Sequence, residues 1–328
     1  MNAELPESGS LDRTVFNSGG ISLGTLFLFI SMSGLLFRPL RQIADRFNTL
    51  QMGMVSSERI FKILEDDSHI IDKGNIFKNS VKGMIEFKNV SFSYIENEVV
   101  LDNVSFKIKP GETFAIVGPT GSGKTTITNL ITRFYDFNKG KILIDGNDIK
   151  ELKLNNLRDK IGIILQDVFL FADTIYNNIT LYNNNISLEE VKKAAVELDI
   201  HEFIESLPNG YDFVVSERGS SLSAGQKQLI AFLRVLVNNP DILILDEATS
   251  SIDSYSEDLI KKATKKITQG KTSIIIAHRL STIESADKII YMEKGQILEY
   301  GNHKELLQIE NGKFNKLYKE QLIEEELV

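Results

Sequence analysis

The first strong pattern along the chain is an uncharged apolar run. Residues 20–37 read GISLGTLFLFISMSGLLF, which is eighteen residues without a charged side chain. A run of this length is at the lower limit of what spans a bilayer as a helix, so it predicts one membrane span. A helix buried in a soluble core has a similar composition, and small residues such as Gly24 and Ser31 suit either setting.

Charges on the two sides of this run predict its orientation. The preceding residues 4–13 are mainly acidic, whereas Arg38, Arg41 and Arg46 follow the run. Because cationic flanks stay in the cytoplasm, the C-terminal part of the chain is predicted to be cytoplasmic. A cleavable signal peptide has a cationic leader before its apolar run, so the acidic leader excludes that interpretation.

A helical period continues beyond the apolar run. Apolar positions between Leu40 and Leu64 recur mostly at steps of three and four residues. A single helix from Ile21 to Glu65 would be about 65 Å long and would project out of the membrane. We therefore expect residues 1–65 to be the C-terminal remnant of a transmembrane domain, with one span at about 20–37 and a cytoplasmic helical extension. Residues 66–82 are polar and without periodicity, which predicts a linker.

The remaining residues, 83–328, alternate between strand-like and helical patterns. Apolar β-rich runs predict strands at Met84–Tyr94, Val104–Ile108, Phe114–Val117, Ile142–Ile144, Ile161–Leu165, Ile242–Leu245 and Thr272–Ala277, and a hairpin at Ile289–Tyr300. Helical spacing at Leu188–Leu207 and Gln226–Val237 predicts a helical subdomain at about 167–240, and the tail from Lys313 predicts a charged amphipathic helix. The fold class is therefore α/β, with a mixed sheet as its core.

Composition removes several classes of function. The chain of 328 residues has 42% hydrophobic and 25% charged residues, which are ordinary globular values. A net charge of −8 disfavours binding to nucleic acid, so no nucleic-acid partner is expected. The absence of cysteine excludes disulfides, thiolate zinc sites and a cysteine nucleophile, and the four histidines are scattered.

One motif carries a specific chemistry. The sequence GPTGSGKT fits the phosphate-binding loop pattern G-x-x-x-x-G-K-[ST], and it stands between a predicted strand and a predicted helix. Backbone N–H groups of such a loop bind phosphate oxygens, while its lysine reaches the β- and γ-phosphates and its final hydroxyl ligates Mg²⁺. The predicted nucleotide-binding residues are Gly118, Pro119, Thr120, Gly121, Ser122, Gly123, Lys124, Thr125 and Thr126.

Two carboxylates complete the predicted reaction site. Asp246 and Glu247 directly follow the buried strand Ile242–Leu245, and open α/β sheets place ligands beyond the carboxyl ends of their strands. We expect Asp246 to be a Mg²⁺ partner, directly or through water. We expect Glu247 to polarise the attacking water, with a solvated strand end as the alternative.

Together with these motifs, Leu222-Ser223-Ala224-Gly225-Gln226 resembles the signature sequence of ABC-type ATPases. The resemblance covers about residues 84–310 and adds Tyr94 as an adenine-stacking residue, Gln166 as a further Mg²⁺ contact, and the loop Ser250–Asp253, with Asp253 near the nucleotide. It also implies that His278 contacts the γ-phosphate, and that Glu247, His278, Gln166 and Lys124 act in ATP hydrolysis with Mg²⁺. By itself, Ser223 at a helix start is only an N-cap, His278 a core histidine and Tyr94 an ordinary strand aromatic.

The resemblance also implies a partner. In the family, Ser223, Gly225 and Gln226 would face the nucleotide bound to a second subunit, so two ATP molecules lie between two ATPase domains. The loop Ser216-Glu217-Arg218-Gly219 and the fused membrane helix resemble exporter half-transporters, with the ATPase domain on the cytoplasmic side of the cell membrane. Such halves have six spans, so the other transmembrane helices are expected from a missing segment or another chain.

Two departures leave alternatives open. With one span, the chain is expected to be a fragment, a split gene product or an engineered piece, and the transported substrate is not encoded in it. Ala224 stands where the family usually has glycine, and its methyl could impede close approach of a phosphate. Because heterodimeric exporters of the family pair one competent with one impaired site, the resemblance favours a heterodimer in which this half carries the modified signature. The competing functions are a soluble ABC-type ATPase without transport and a regulatory, non-hydrolysing remnant.

Overall fold

The computed structural model describes residues 22–66, 70–246, 254–277 and 280–326. The chain divides into two compact units, residues 1–69 and residues 70–328.

The first unit is one long helix. Helix α1 runs over Leu23–Leu64, 42 residues, and is about 63 Å long at 1.5 Å per residue. Its start is capped by Ser22, whose hydroxyl accepts a hydrogen bond from the Thr25 N–H at 3.1 Å. The continuous helix predicted from the apolar period is confirmed, and it is long and apolar enough to cross a membrane by length and composition.

Two sheets build the second unit. The antiparallel sheet has the order β2-β1-β4-β5, with β1 Ile85–Ser93, β2 Val99–Ile108, β4 Lys139–Ile144 and β5 Asn147–Asp148. The larger sheet has the order β10-β9-β3-β8-β7-β6, with β3 Thr113–Val117, β6 Ile161–Ile164, β7 Ile242–Asp246, β8 Thr272–Ile276, β9 Lys288–Glu293 and β10 Gln296–Gly301. Strands β9, β3, β8, β7 and β6 run parallel and β10 is antiparallel, so the predicted mixed sheet is confirmed.

Strand β2 begins at Val99, ahead of the predicted start at Val104. Asn103 has a φ of 52° at a register shift between β1 and β2, where Val90 pairs with Val104 and Phe92 with Leu101. The irregular pairing breaks the two-residue alternation from which the start was predicted.

Helices of varied length accompany the larger sheet. They are α2 Lys124–Ile131, α3 Leu154–Asp159, α4 Ile175–Thr180, α5 Leu188–Glu197, α6 His201–Glu205, α7 Ala224–Asn238, α8 Ser254–Thr268, α9 Leu280–Ser285, α10 His303–Leu307 and α11 Lys313–Glu326. The helical spacing over Leu188–Leu207 corresponds to two helices, because Asp199 takes a left-handed φ of 60° and separates α5 from α6. Helices α4 to α7 occupy the stretch between β6 and β7 that was expected to be helical.

Alternation along the parallel strands separates two hydrophobic clusters. In β3, Ala115 and Val117 belong to the cluster that includes helices α5 and α7. Phe114 and Ile116 belong to the cluster that includes strands β1 and β2. Because successive side chains of a strand point to opposite faces, the parallel strands β3, β7, β8 and β9 are buried on both sides, as their continuous apolar runs predict.

The polar segment 70–82 lies along the second unit. The side-chain amide of Asn156 accepts from the Lys78 N–H at 2.7 Å and donates to the Lys78 carbonyl at 3.0 Å. The Asp145 carboxylate accepts from the N–H groups of Lys82 and Met84 at 2.6 and 2.9 Å. The segment therefore has a fixed course, although its sequence has no period.

Candidate functional site

The glycine-rich loop lies where the central strand meets a helix. Strand β3 ends at Val117, and α2 begins at Lys124 with Gly123 as its N-cap residue. Within the described part of the chain, no side chain caps α2, so the N–H groups of its first turn stay available to a ligand. A helix start with such groups is a favourable place for an anion.

At two positions of the loop, a side chain would both overlap neighbouring atoms and strain the backbone. Gly118 has a φ of 146°, and a Cβ there would lie 2.1 Å from the Met292 carbonyl oxygen. Gly123 has a φ of 101°, and its Cβ would lie 2.7 Å from Leu101 Cδ2. The loop is thus seated against β9 and β2, which fixes its backbone.

Lys124 is held inside the loop. Its Nζ donates to the carbonyl oxygens of Gly118 and Pro119 at 2.8 and 3.0 Å, and the residue is only 8% exposed. Burial lowers the pKa of Lys124, and the negative charge of Asp246 partly offsets this by raising it. A bound anion would compensate the desolvated ammonium group.

The loop fits a phosphate ligand and its metal. The hydroxyl of Ser122 is buried and, among the described residues, has no hydrogen-bond partner, which leaves a donor for a phosphate oxygen. Thr125 is exposed at the start of α2, where its hydroxyl is accessible to a hydrated cation. These groups match the predicted binding of a nucleoside triphosphate with Mg²⁺.

The other predicted metal contacts lie at the same edge of the sheet. Asp246 is the last residue of β7, and Gln166 follows β6 closely in an exposed position. Strands β6 and β7 are parallel neighbours, with Ile164 beside Leu245. Their carboxyl ends therefore share the edge to which β3 delivers the glycine-rich loop.

Three predicted residues lie outside the described part of the chain. Glu247 and Asp253 belong to residues 247–253, and His278 belongs to residues 278–279. Glu247 directly follows Asp246, and His278 follows Ala277, whose N–H donates to the Ile116 carbonyl at 3.2 Å. Their roles stay predictions from the sequence.

Tyr94 is half exposed just after β1. Its hydroxyl donates to Thr126 Oγ1 at 3.2 Å and accepts from Asn129 Nδ2 at 3.3 Å. Its ring lies 4.7 Å from that of Phe92 and 4.9 Å from that of Tyr135, centroid to centroid. The structure thus brings Tyr94 to the helix that carries Lys124 and Thr125.

The signature-like segment forms the start of α7. Ser223 Oγ accepts from the Gln226 N–H at 3.2 Å, and Gln226 Oε1 accepts from the Ser223 N–H at 2.9 Å. This reciprocal capping box confirms the predicted N-cap. Gly225 is buried and Ala224 is exposed. The role of this segment toward a second subunit stays a prediction.

Sequence reasoning missed the surroundings of Tyr94. Asn129 and Tyr135 contact Tyr94 from α2 and from the turn after it. Asn129 lies about one helical turn after Thr126, the spacing at which helical side chains are neighbours, so helical periodicity was a usable signal. For Tyr135 no local pattern indicated the contact, because β1 and the turn after α2 meet only in the fold.

Comparison with known proteins agrees with this geometry. The sequence profile of the family described as ABC transporter matches residues 101–250. A putative ABC transporter ATP-binding protein of Streptococcus pneumoniae is 45% identical over 91% of this chain and 51% of its own length. An ATP-dependent lipid A-core flippase of Pseudomonas fluorescens is 44% identical over 92% of this chain and 50% of its own length.

A solved structure is also similar. It is a bacterial Atm1-family ABC exporter with ATP bound, which is 38% identical, has a TM-score of 0.74, and is matched over 91% of this chain and 52% of its own. The chain therefore spans about half the length of the relatives that it matches.

Proposed function

We infer that this chain, which carries an exporter-type ATP-binding domain of the ABC transporter family, hydrolyses ATP to ADP and phosphate to drive export of a substrate across a membrane. The observation that carries this proposal is the glycine-rich loop. Among the described residues, it presents a buried lysine, an unpartnered serine hydroxyl and an uncapped helix start at one point. These are the groups that stabilise the equatorial charge during phosphoryl transfer.

We assign a residue of this chain to each step of the proposed mechanism. Lys124 and the N–H groups of the loop hold the β- and γ-phosphates, while the exposed face of Tyr94 stacks on the base. Thr125, Asp246 and Gln166 would hold Mg²⁺, which neutralises phosphate charge when bound. Glu247 orients or deprotonates the attacking water, and His278 and Asp253 complete the site around the γ-phosphate.

The proposed assembly is a dimer at the cell membrane. The span proposed at about residues 20–37 lies in α1 from Leu23 onward, and the rest of α1 is its cytoplasmic extension, so the ATPase domain of about residues 83–328 lies on the cytoplasmic side. Ser223, Gly225 and Gln226 would reach the nucleotide of a second half-transporter, which makes each site complete only after pairing. The exporter and flippase among the similar proteins support this proposal.

The substitution Glu247→Gln tests the hydrolytic part. It keeps the shape of the side chain but removes the base, so we expect the chain, measured in its assembled dimer, to bind Mg-ATP normally and to lose most of its phosphate release. Steady-state phosphate release and ATP binding are measured on the same samples. Turnover equal to that of the wild type would remove Glu247 from the role of base.

A further inference from the structure

We propose that Thr126, Asn129 and Tyr135 are positioning residues that hold the Tyr94 ring ready to stack on the base of the bound nucleotide. This inference rests on the proposed function, because it assigns the base-binding part of the same site. None of the three side chains needs to touch the base for the effect.

The hydroxyl of Tyr94 is tethered at two points. It donates to Thr126 Oγ1 at 3.2 Å and accepts from Asn129 Nδ2 at 3.3 Å. A phenol has one proton to donate and can accept a second bond, so both of its functions are used. Thr126 and Asn129 lie about one helical turn apart on α2, and Thr126 is 6% exposed. The tip of Tyr94 is therefore fixed to a rigid part of the fold.

The ring of Tyr94 is braced by two other aromatic rings. The rings of Phe92 and Tyr135 lie 4.7 and 4.9 Å from it and are inclined by 85° and 88°, a favourable edge-to-face arrangement. The centroids of Phe92 and Tyr135 are 6.0 Å apart, so the two directions from Tyr94 enclose an acute angle. Both neighbouring rings therefore lie in directions less than 90° apart as seen from Tyr94, and 45% of the Tyr94 residue stays exposed for a ligand.

The tether also connects the two halves of the nucleotide site. Thr126 follows Thr125, and both lie in the first turn of α2, which begins at Lys124. A tyrosine in an exposed loop would otherwise lose rotamer freedom when a base stacks on it. Fixing the ring beforehand removes that loss, so the positioning residues raise the affinity for a base-bearing ligand without changing the phosphate site.

The test compares two ligands on the full chain in detergent micelles. Mg-ATP reports on both halves of the site, and inorganic tripolyphosphate reports on the phosphate half alone. For Asn129→Ala, Tyr94→Phe and Tyr135→Leu we expect the Kd of ATP to rise about two- to tenfold. A rise of this size corresponds to the loss of one hydrogen bond or one aromatic contact. The Kd of tripolyphosphate should not change, and Tyr135→Phe, which keeps the ring, should restore ATP affinity.

The matched control is Tyr300→Leu. Tyr300 is a tyrosine of similar exposure, 50% against 45% for Tyr135, and it lies on the edge strand β10. An unchanged Kd of ATP in the three variants would overturn the proposal, as would equal weakening of ATP and tripolyphosphate, which is the result of a general structural effect. A wild-type chain that binds neither ligand would instead overturn the proposed function.

Discussion

Lys124 is the residue on which the proposed nucleotide site depends most. Its ammonium group is nearly buried and is satisfied by two backbone carbonyls of its own loop. Burial lowers the pKa of Lys124, and Asp246 offsets only part of that effect. Bound phosphates would place negative charge beside Nζ and raise this pKa again.

This difference predicts proton uptake on binding. As pH rises through the lowered pKa of the free chain, Lys124 loses its proton, whereas the complex keeps it, so ATP affinity falls about tenfold per pH unit in that window. Calorimetry at alkaline pH in buffers of different ionisation enthalpy measures the proton taken up. Lys124→Arg, which stays charged, should abolish the uptake; uptake equal to that of the wild type would assign the proton to another group.

Gly118 tests how tightly the loop is seated. Gly118→Ala adds a methyl that would overlap the Met292 carbonyl, so we expect destabilisation by about 3 kcal/mol or more and loss of tripolyphosphate binding. Gly111→Ala is the matched control, because Gly111 has a φ of 74° but open space around its Cβ. It should lower the stability by about 1 to 2 kcal/mol without affecting binding. Stability is measured by thermal melting, and binding with tripolyphosphate. Equal losses of stability and of binding in the two variants would contradict the account.

At the scale of residues, the sequence predicted that the glycine-rich motif stands between a strand and a helix, and it missed the partners of Tyr94. Lys124 and Thr125 belong to a contiguous motif, and the spacing of its residues predicts its conformation. The contact between Tyr94 and Tyr135 joins residues from different elements, and no periodicity within either element contains it.

At the scale of elements, the N-terminus of helix α7 has a structural role and a proposed functional role. Its capping box joins Ser223 and Gln226, and its buried residues extend from Gly225 to Val235, so α7 is anchored in the core. Helix α5 begins with an equivalent box that joins Ser187 and Glu190. Both helices have the same kind of N-cap, but only α7 carries the signature-like sequence. Comparing the two caps therefore distinguishes the effect of capping on stability from a role of the sequence in hydrolysis.

We expect Ser223→Ala and Ser187→Ala to destabilise the chain by similar amounts, about 1 kcal/mol each, since each removes one N-cap. Only Ser223→Ala should reduce Mg-ATP turnover, because only Ser223 is proposed to meet the partner's nucleotide. Melting temperatures and phosphate release are measured for both variants. Equal turnover in the two variants would restrict Ser223 to a capping role.

Elements with a regular period were predicted well, and irregular ones were not. Helix α1 and the parallel strands follow from spacing and apolar runs. The course of segment 70–82 depends on side chains far away in the sequence, Asp145 and Asn156, so no local pattern contains it. The break between α5 and α6 likewise depends on the left-handed Asp199, an aspartate that a helical window tolerates.

At the scale of the whole molecule, the proposed choice of partner depends on one exposed residue. Ala224 is the first residue of α7, at the helix start proposed to face a second nucleotide. Its methyl would hinder close approach of a phosphate, which favours pairing with a different half-transporter over self-pairing.

In the Glu247→Gln background, we expect Ala224→Gly to increase the fraction of Mg-ATP-dependent dimer. Light scattering with correction for detergent measures the mass of the full chain with and without Mg-ATP. Complete self-pairing with Ala224 in place would contradict the preference for a heterodimer. Without nucleotide, the two variants should have the same mass.

The central claim, that the loop at the start of α2 binds ATP through Lys124, is tested most directly by equilibrium binding of labelled Mg-ATP to the purified full chain. We predict one saturable site per chain that survives Glu247→Gln and is lost in Lys124→Ala. Absence of saturable binding to the wild type, or equal binding to Lys124→Ala, would contradict the account.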